Sequence, residues 1–250
     1  MIAPGVFVLT NSFALTNTTV VAGHDGDCLL IDPGITVDDL REIALWLAGL
    51  GLHPAVAWST HPHWDHVLWH SVLGTGVPRY AAPAASAAAE TERDSMIDEL
   101  EMTAPGHDLE LFGRLVPLKA DAIPWNGPAA QLIVHDGHAP GHGAVFLPDT
   151  GVLIAGDMCS DVEIPLLDTV ADDPMGDYRA GLALLADLPD VRHVVPGHGH
   201  PGDTREFRRR LAADAAYLDR LEGGEAFDDP RITEDWLRCS HDAQVSYARR

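Results

Sequence analysis

The chain has 250 residues, of which 46% are hydrophobic and 22% charged, and its formal net charge is −22 with Lys119 as the only lysine. Nucleic-acid binders need basic faces that displace counterions from phosphates, so this charge argues against nucleic acid as a partner. The chain shows neither a secretory signal nor an apolar run of roughly 18 residues, so we expect a soluble, cytoplasmic protein without a membrane partner.

The first half of the chain predicts strands followed by helices. The segments "GVFVLT", "NTTVVAG" and "DCLLID" favour three strands separated by turn residues. Apolar residues at helical spacing after a capping threonine predict a helix in "TVDDLREIALWLAG", residues 36–49. A buried strand is predicted at "AVAWST" (55–60), and "HVLWHSVLG" (66–74) is predicted to be helical.

The second half repeats this order. A helical pattern covers residues 83–101, and an irregular stretch covers 102–128. Strands are predicted at "QLIVHD", "AVFLP", "GVLIAGD" and "VRHVVPG", with "PDTG" as a hairpin turn, and helices at "DPMGDYRAGLALLADL" and "DTREFRRRLAADAAYLDRLEGG". Two strand-rich blocks that are each followed by helices favour an α/β fold of two packed sheets, although other α/β arrangements stay open.

We expect one domain over residues 1–250. Residues 81–125 form an insert that either closes over a pocket as a helical lid or only packs against it. The final segment, 223–250, carries little signal and is expected to pack on the domain.

The densest functional signal is "THPHWDH", residues 60–66. In extended chain after a strand, His61 and His63 point to the same side and can bind one ion. Asp65 and His66 follow where the predicted helix begins and can face a second ion. Imidazole and carboxylate ligands suit zinc, iron or manganese.

Further candidate ligands lie at other strand ends. His142 stands in "APGHG" before a strand, Asp157 ends the apolar strand "LIAGD", and His198 follows a strand in "VVPGHGH". A catalytic metal site needs at least three protein ligands and an open position, and these residues complete such a set.

The ordered pattern H-x-H-x-D-H, "GH", "GD", "GH", together with "LIDPG" at residues 30–34, resembles the metallo-β-lactamase superfamily over roughly residues 5–222. The resemblance implies an αββα sandwich of two mixed β-sheets with helices on the outer faces. It also implies that Asp157 bridges two metals, with the remaining ligands divided between them: His61, His63 and His142 on the first metal, and Asp65, His66 and His198 on the second.

The function implied is a metal-dependent hydrolase with two Zn²⁺ (alternatively Fe or Mn), in which Asp65 and Asp157 are the catalytic carboxylates. A metal-bridging hydroxide would attack the carbonyl of a small-molecule ester, lactone or thioester. Glyoxalase II and acyl-homoserine lactonases share the bridging aspartate, whereas metallo-β-lactamases proper usually lack it. The stretch "DMCSD" lacks the lactonase tyrosine, and basic glutathione-binding residues have no clear counterpart, so the subfamily stays open.

Three alternatives remain: a mononuclear non-haem iron oxidoreductase similar to the persulfide dioxygenases, a β-lactam hydrolase, and a non-enzymatic binding module. Candidate substrate-binding residues are Trp64, Tyr178 and His241, and Cys159 is a candidate supporting residue. The remaining histidines, His138 among them, are expected to be surface or structural residues.

Overall fold

The computed structural model describes residues 1–224 and 227–249. Its strands, in chain order, are β1 (Val6–Thr10), β2 (Asn17–Ala22), β3 (Asp27–Ile31), β4 (His53–Trp58), β5 (Arg79–Ala81), β6 (Val116–Pro117), β7 (Gln131–His135), β8 (His142–Leu147), β9 (Val152–Gly156), β10 (His193–Pro196) and β11 (Gly202–Asp203). Its helices are α1 (Val37–Gly49), α2 (Pro83–Thr91), α3 (Arg93–Thr103), α4 (Pro174–Ala186), α5 (Thr204–Glu222) and α6 (Asp235–Ala248).

The strands form two mixed sheets. One has the order β1-β2-β3-β4-β5-β6 and the other the order β11-β10-β9-β8-β7. Antiparallel pairs such as β1–β2 and β8–β9 occur beside parallel pairs such as β3–β4 and β9–β10. The prediction of an αββα sandwich with two mixed sheets is confirmed.

Alternation along the strands builds the layers. In β3, Leu29 and Ile31 belong to the core between the two sheets, whereas Cys28 and Leu30 pack toward α1. In β9, Val152 and Ile154 face the same inner core, whereas Leu153 and Ala155 pack toward α4, α5 and α6. Strands β3 and β9 are thus apolar on both faces, which is typical of sheets covered by helices. Of the helices in the described residues, none has the length and apolar character to cross a membrane.

The predicted helix over 66–74 is wrong. Only Ser71–Leu73 forms a single 3₁₀ turn, and residues 66–70 are irregular. Val67, Leu68 and Trp69 are all buried in succession, and a surface helix cannot bury three adjacent side chains on one face. Residues 67–69 are instead held in an irregular conformation by the packing of their side chains.

Two other segments differ from expectation. The helical pattern over 83–101 is two helices, α2 and α3, which meet at Glu92. Helix α6 had no sequence signal because two of its three buried residues are polar: Leu237, His241 and Gln244. It contributes Leu237 to the core of the second sheet, while residues 225, 226 and 250 of the predicted segment 223–250 lie outside the described residues. Helices α2 and α3 pack beside Trp64, and a lid over 81–125 stays a prediction.

Candidate metal centre

Strand ends place histidines and aspartates at one edge of the sandwich. Residues 59–66 follow β4, Asp157 follows β9, His198 follows β10, and His138 lies in the loop that leads into β8. Because β8 runs antiparallel to β9, the beginning of β8 lies beside the end of β9. Side chains distant in sequence therefore meet at this edge.

Hydrogen bonds hold these loops in place. The backbone N–H of Gly143 donates to the carbonyl of Thr60 at 2.7 Å, and Trp58 Nε1 donates to the carbonyl of Gly143 at 2.8 Å, so the two sheets are linked beside the site. The side-chain amide of Asn17 donates to two carbonyls of the 196–199 segment, each at 2.9 Å. The loops are therefore anchored on both sheets.

The first group of ligand atoms comes from His61, His63, His138 and Asp157, all within 4.8 Å of one another. His138 Nε2 lies 3.1 Å from His63 Nδ1 and 3.5 Å from Asp157 Oδ2. His61 Nε2 lies 3.4 Å from the same carboxylate oxygen. Three imidazoles and one carboxylate thus converge on one point.

The second group comes from Asp65, His66 and His198. His198 Nε2 lies 3.1 Å from Asp65 Oδ2 and 3.3 Å from His66 Nε2. Asp157 also reaches this group, because its Oδ1 lies 3.3 Å from His66 Nε2 and its Oδ2 3.5 Å from His198 Nε2. Asp157 therefore lies between the two groups.

The polar atoms of the centre fit divalent cations. His61 Nε2 and Asp157 Oδ1 are buried and have no hydrogen-bond partner among the described residues. Unpaired buried polar atoms are costly, and imidazole with carboxylate is the donor set of zinc, iron and manganese sites. A Cβ at Gly197 would lie 1.9 Å from Asp157 Oδ1, so glycine is needed where the β10 loop passes this carboxylate.

The structure differs from expectation at His142, which joins neither group. Its Nε2 accepts a hydrogen bond from the backbone N–H of Asp157 at 3.2 Å, and its ring stacks with those of His61 and His135. His142 is the first residue of β8 and is paired with His135 of β7, so its ring lies against the His135 ring and outside both ligand groups. His138, four residues earlier in the loop before β8, takes the expected place. The signal for it was the first histidine of "GHAPGH", which we expected to be structural.

Hydrogen bonds on the side away from the centre orient three of its imidazole rings. His66 Nδ1 donates to Asp32 Oδ2 at 3.0 Å, His138 Nδ1 to the carbonyl of Leu166 at 3.0 Å, and His198 Nδ1 to the carbonyl of Ala14 at 3.1 Å. Carboxylate and carbonyl oxygens only accept, so each Nδ1 carries the proton. Each Nε2 then presents its lone pair to the centre, as a metal ligand requires.

Burial and neighbouring rings keep part of the cluster neutral. Burial, reinforced by nearby imidazoles, lowers the pKa of His61 well below its usual value and that of His138 to about 3. A neutral imidazole is the form that binds a metal.

In the second group, neighbouring carboxylates raise the pKa of the histidines instead. Burial by itself lowers the pKa of His66, but Asp157, Asp65 and Asp32 raise it to about 9. Asp157 in the same way raises the pKa of His198 against the effect of burial. Burial opposes ionisation of Asp157 and Asp65, yet the imidazoles hold both pKa values below the usual range. The cluster therefore attracts positive charge, which protons or a metal can supply.

A cleft of about 900 Å³ opens onto the centre. Its lining includes His63, Asp65, Asp157 and His198 of the two groups. Its larger apolar lining residues come from several loops and helices: Phe13, Trp64, Met96, Leu166, Leu167, Val170 and Trp236. A concave, partly apolar site beside convergent polar groups is where a small molecule binds.

Glu163 is a functional candidate that the sequence did not indicate. It is 7% exposed and lines the cleft. One of its carboxylate oxygens lies within 4.8 Å of ligand atoms of Asp157 and His198. Burial raises its pKa to about 7, because the ionised form loses hydration there. The segment "DVEIP" carries no periodic signal that separates this acid from a surface acid.

The candidate substrate-binding residues have different locations. Trp64 lines the cleft and contacts Phe13 edge-to-face at 5.8 Å between ring centroids. Tyr178 is a buried residue of α4, and the His241 ring lies 2.9 Å from the Tyr217 hydroxyl; neither lines the cleft. Cys159 is also buried in that core. All three belong to the packing of the second sheet and its helices.

Comparisons with known proteins agree with this fold and identify its family. Residues 12–200 match the model of the metallo-beta-lactamase superfamily. A hydroxyacylglutathione hydrolase of Thermosynechococcus vestitus is 29% identical over 243 residues, 90% of this chain and 86% of that protein. One of Rhodobacter capsulatus is 31% identical over 164 residues, 65% of this chain and 56% of that protein. A metallo-beta-lactamase family protein from Thermus thermophilus has a TM-score of 0.70 at 23% identity, covering 98% of this chain and 93% of that chain.

Proposed function

Because the chain belongs to the metallo-beta-lactamase superfamily and is a metal-dependent hydrolase with a divalent metal site, we propose that it uses two zinc ions to cleave a small-molecule ester, lactone or thioester. The observation that carries the proposal is the position of Asp157. Its two oxygens lie 3.3–3.5 Å from histidines of both ligand groups. One carboxylate can therefore serve two ions.

In this proposal His61, His63 and His138 would hold the first ion, Asp65, His66 and His198 would hold the second, and Asp157 would be shared between them. When bound, the two ions supply a nucleophilic hydroxide near neutral pH and a Lewis acid for the carbonyl. The assignment of His138 in place of His142 rests on the distances described above.

The chain's own residues supply orientation and shape. The hydrogen bonds from His66, His138 and His198 to groups behind them keep the Nε2 atoms directed at the centre. The apolar cleft wall, with Trp64 beside the centre, holds an acyl or leaving group and excludes water from it. Small molecules fit a cleft of about 900 Å³, and the net charge of −22 opposes nucleic acid.

The test combines metal content with turnover. We expect close to two zinc ions per chain by plasma mass spectrometry of the protein as purified, and hydrolysis of compounds from a panel of thioesters, lactones and β-lactams. The substitution Asp157→Asn should lower both metal content and turnover. The matched control is Asp149→Asn, the same change at an exposed turn between β8 and β9, and it should alter neither.

Two outcomes would contradict the proposal. One iron per chain with oxygen consumption would instead support the mononuclear iron oxidoreductase. If Asp157→Asn leaves metal content and turnover unchanged, Asp157 is not a metal ligand.

A further inference from the structure

The cleft beside the centre is lined by acidic residues and, within the described residues, by neither lysine nor arginine. Its carboxylates are Asp65, Glu92, Glu99, Asp157, Glu163 and Asp168. In the proposed function two of these, Asp65 and Asp157, hold metal ions. The others remain free to act on the substrate.

Glu163 differs from the other free carboxylates because it is buried and has no hydrogen-bond partner. It is 7% exposed, and no described residue donates a hydrogen bond to its side chain. Its nearest basic atom is His198 Nδ1 at 3.9 Å. That nitrogen already donates to the carbonyl of Ala14 at 3.1 Å, so its proton is not available to Glu163.

A carboxylate in this position is costly for the protein on its own. Burial takes away part of the hydration of the Glu163 carboxylate, and the His198 imidazole at 3.9 Å is too distant for a hydrogen bond. Buried carboxylates are normally paired or bound to a cation. Glu163 faces the cleft, so a ligand can supply that partner. The apolar residues Leu166 and Leu167 line the cleft as well and suit an alkyl chain that carries the charged group.

We infer that Glu163 binds an ammonium group of the substrate, and that the preferred substrates are esters, lactones or thioesters with an amine a few bonds from the scissile carbonyl. The short separation follows from the geometry, because ligand atoms of Glu163, Asp157 and His198 lie within 4.8 Å of one another. This inference rests on the proposed hydrolase function and specifies the charge of its preferred substrates.

The same charge disfavours anionic substrates. Glutathione thioesters carry two carboxylates, which would meet the free acidic residues of this cleft without a lysine or arginine to pair with. Their single ammonium group lies many bonds from the scissile carbonyl, so it does not have the short separation inferred for Glu163. Like charges brought together in a partly desolvated site repel, and such repulsion is a common source of specificity. We therefore expect a 3-carboxypropanoyl thioester to be a poorer substrate than its butanoyl analogue.

The first test measures binding to the metal-loaded protein by NMR titration, which suits weak ligands. The probes are 3-aminopropanamide, which is cationic, and butanamide, its neutral analogue of similar shape. We expect the cation to bind about ten- to a hundredfold more tightly, the range for hydrogen bonds to charged groups. Glu163→Gln should bring the two affinities close together.

The matched control is Glu99→Gln, which removes the same charge from an exposed residue of the same cleft. It should change the preference by at most about threefold, because exposed carboxylates contribute little. Equal binding of both probes by the unaltered protein would overturn the inference. A preference that survives Glu163→Gln would also overturn it.

The second test compares turnover of the 3-aminopropanoyl and butanoyl thioesters of thiophenol, with each kcat/KM divided by the spontaneous rate. The aminoacyl thioester should be preferred about ten- to a hundredfold by the unaltered protein. Turnover without preference would overturn the role of Glu163 and leave the hydrolase standing. Absence of turnover across the whole substrate panel would contradict the hydrolase, and the binding ratio would still decide on Glu163.

Metal content separates this role from another one that Glu163 could have. Its carboxylate lies close enough to Asp157 and His198 to share a metal ion with them. We expect Glu163→Gln to retain the metal content of the unaltered protein. Loss of an ion in this variant would make Glu163 a metal ligand and overturn the inference.

Discussion

Replacing Asp32 by asparagine should weaken the proposed second metal site without changing its ligands. Asp32 is 1% exposed and follows β3. Its Oδ1 accepts from the backbone N–H of Thr60 at 2.8 Å, and its Oδ2 accepts from the Thr60 hydroxyl at 2.7 Å and from His66 Nδ1 at 3.0 Å. One carboxylate therefore holds both the start of the ligand segment and the ring of His66.

Asparagine has nearly the same shape but replaces one acceptor by an amide donor. Its oxygen can still accept from the backbone of Thr60, while its NH₂ then faces two donors, the Thr60 hydroxyl and His66 Nδ1–H. His66 relieves this conflict by moving its proton to Nε2. That tautomer blocks the lone pair that would face the metal.

The expected magnitude follows from these contacts. Loss of a partner that orients a metal-binding histidine costs about 10- to 100-fold in metal affinity, or about 1.4–2.8 kcal/mol. The metal-free protein should also lose about 2 kcal/mol of unfolding free energy, because hydrogen bonds to a buried charged group are replaced by weaker ones.

Metal affinity is measured by competition with a chromogenic chelator, and stability by urea unfolding with chelator in excess. The matched control is Asp27→Asn, which alters another aspartate–histidine contact, 2.8 Å to the exposed His53 Nε2, away from the centre. The control should bind metal as the unaltered protein does. If Asp32→Asn also retains that affinity, Asp32 does not orient His66 for metal binding.

Three further predictions concern the surroundings of the centre. His138→Ala should reduce the metal bound per chain by about one ion, whereas His142→Ala should retain the metal and lower the melting temperature. Gly156→Ala should lower the unfolding free energy by about 2 kcal/mol or more, since the residue has φ +56 and its Cβ would lie 2.4 Å from His142 Nε2. Burial lowers the pKa of His135 to about 4 from 6.5, so the unfolded chain binds more protons between these values. The His135 contribution to stability should therefore fall as the pH drops from 6.5 to about 4, by up to about 3 kcal/mol, and His135→Asn should reduce the pH dependence by this amount.

Each of these outcomes can fail separately. Metal loss in the His142 variant with retention in the His138 variant would restore the ligand set that the sequence implies. An alanine at position 156 that leaves urea unfolding unchanged would contradict the close approach to His142. A pH dependence that His135→Asn leaves intact would assign the proton uptake to other groups.

Local pattern was sufficient for much of the fold. Alternating and continuous apolar runs predicted the longer strands, and Thr36 predicted the start of α1, where it forms a capping box with Asp39. Strand β5 and the two-residue strands β6 and β11 were missed, because so few residues carry no period. Helix α6 was missed because its buried side includes His241 and Gln244, which pair with Tyr217 in the interior.

The sequence by itself determined the composition of the centre: the types of ligand, their order along the chain and their position at strand ends. These features are local, since a loop residue after a buried strand must emerge at the edge of a sheet. Tertiary structure alone decided between His138 and His142, because the point at which β8 begins depends on its pairing with β7 and β9. It also decided that Glu163 is buried and lacks a hydrogen-bond partner, since the exposure of a charged side chain depends on segments far from it in the chain.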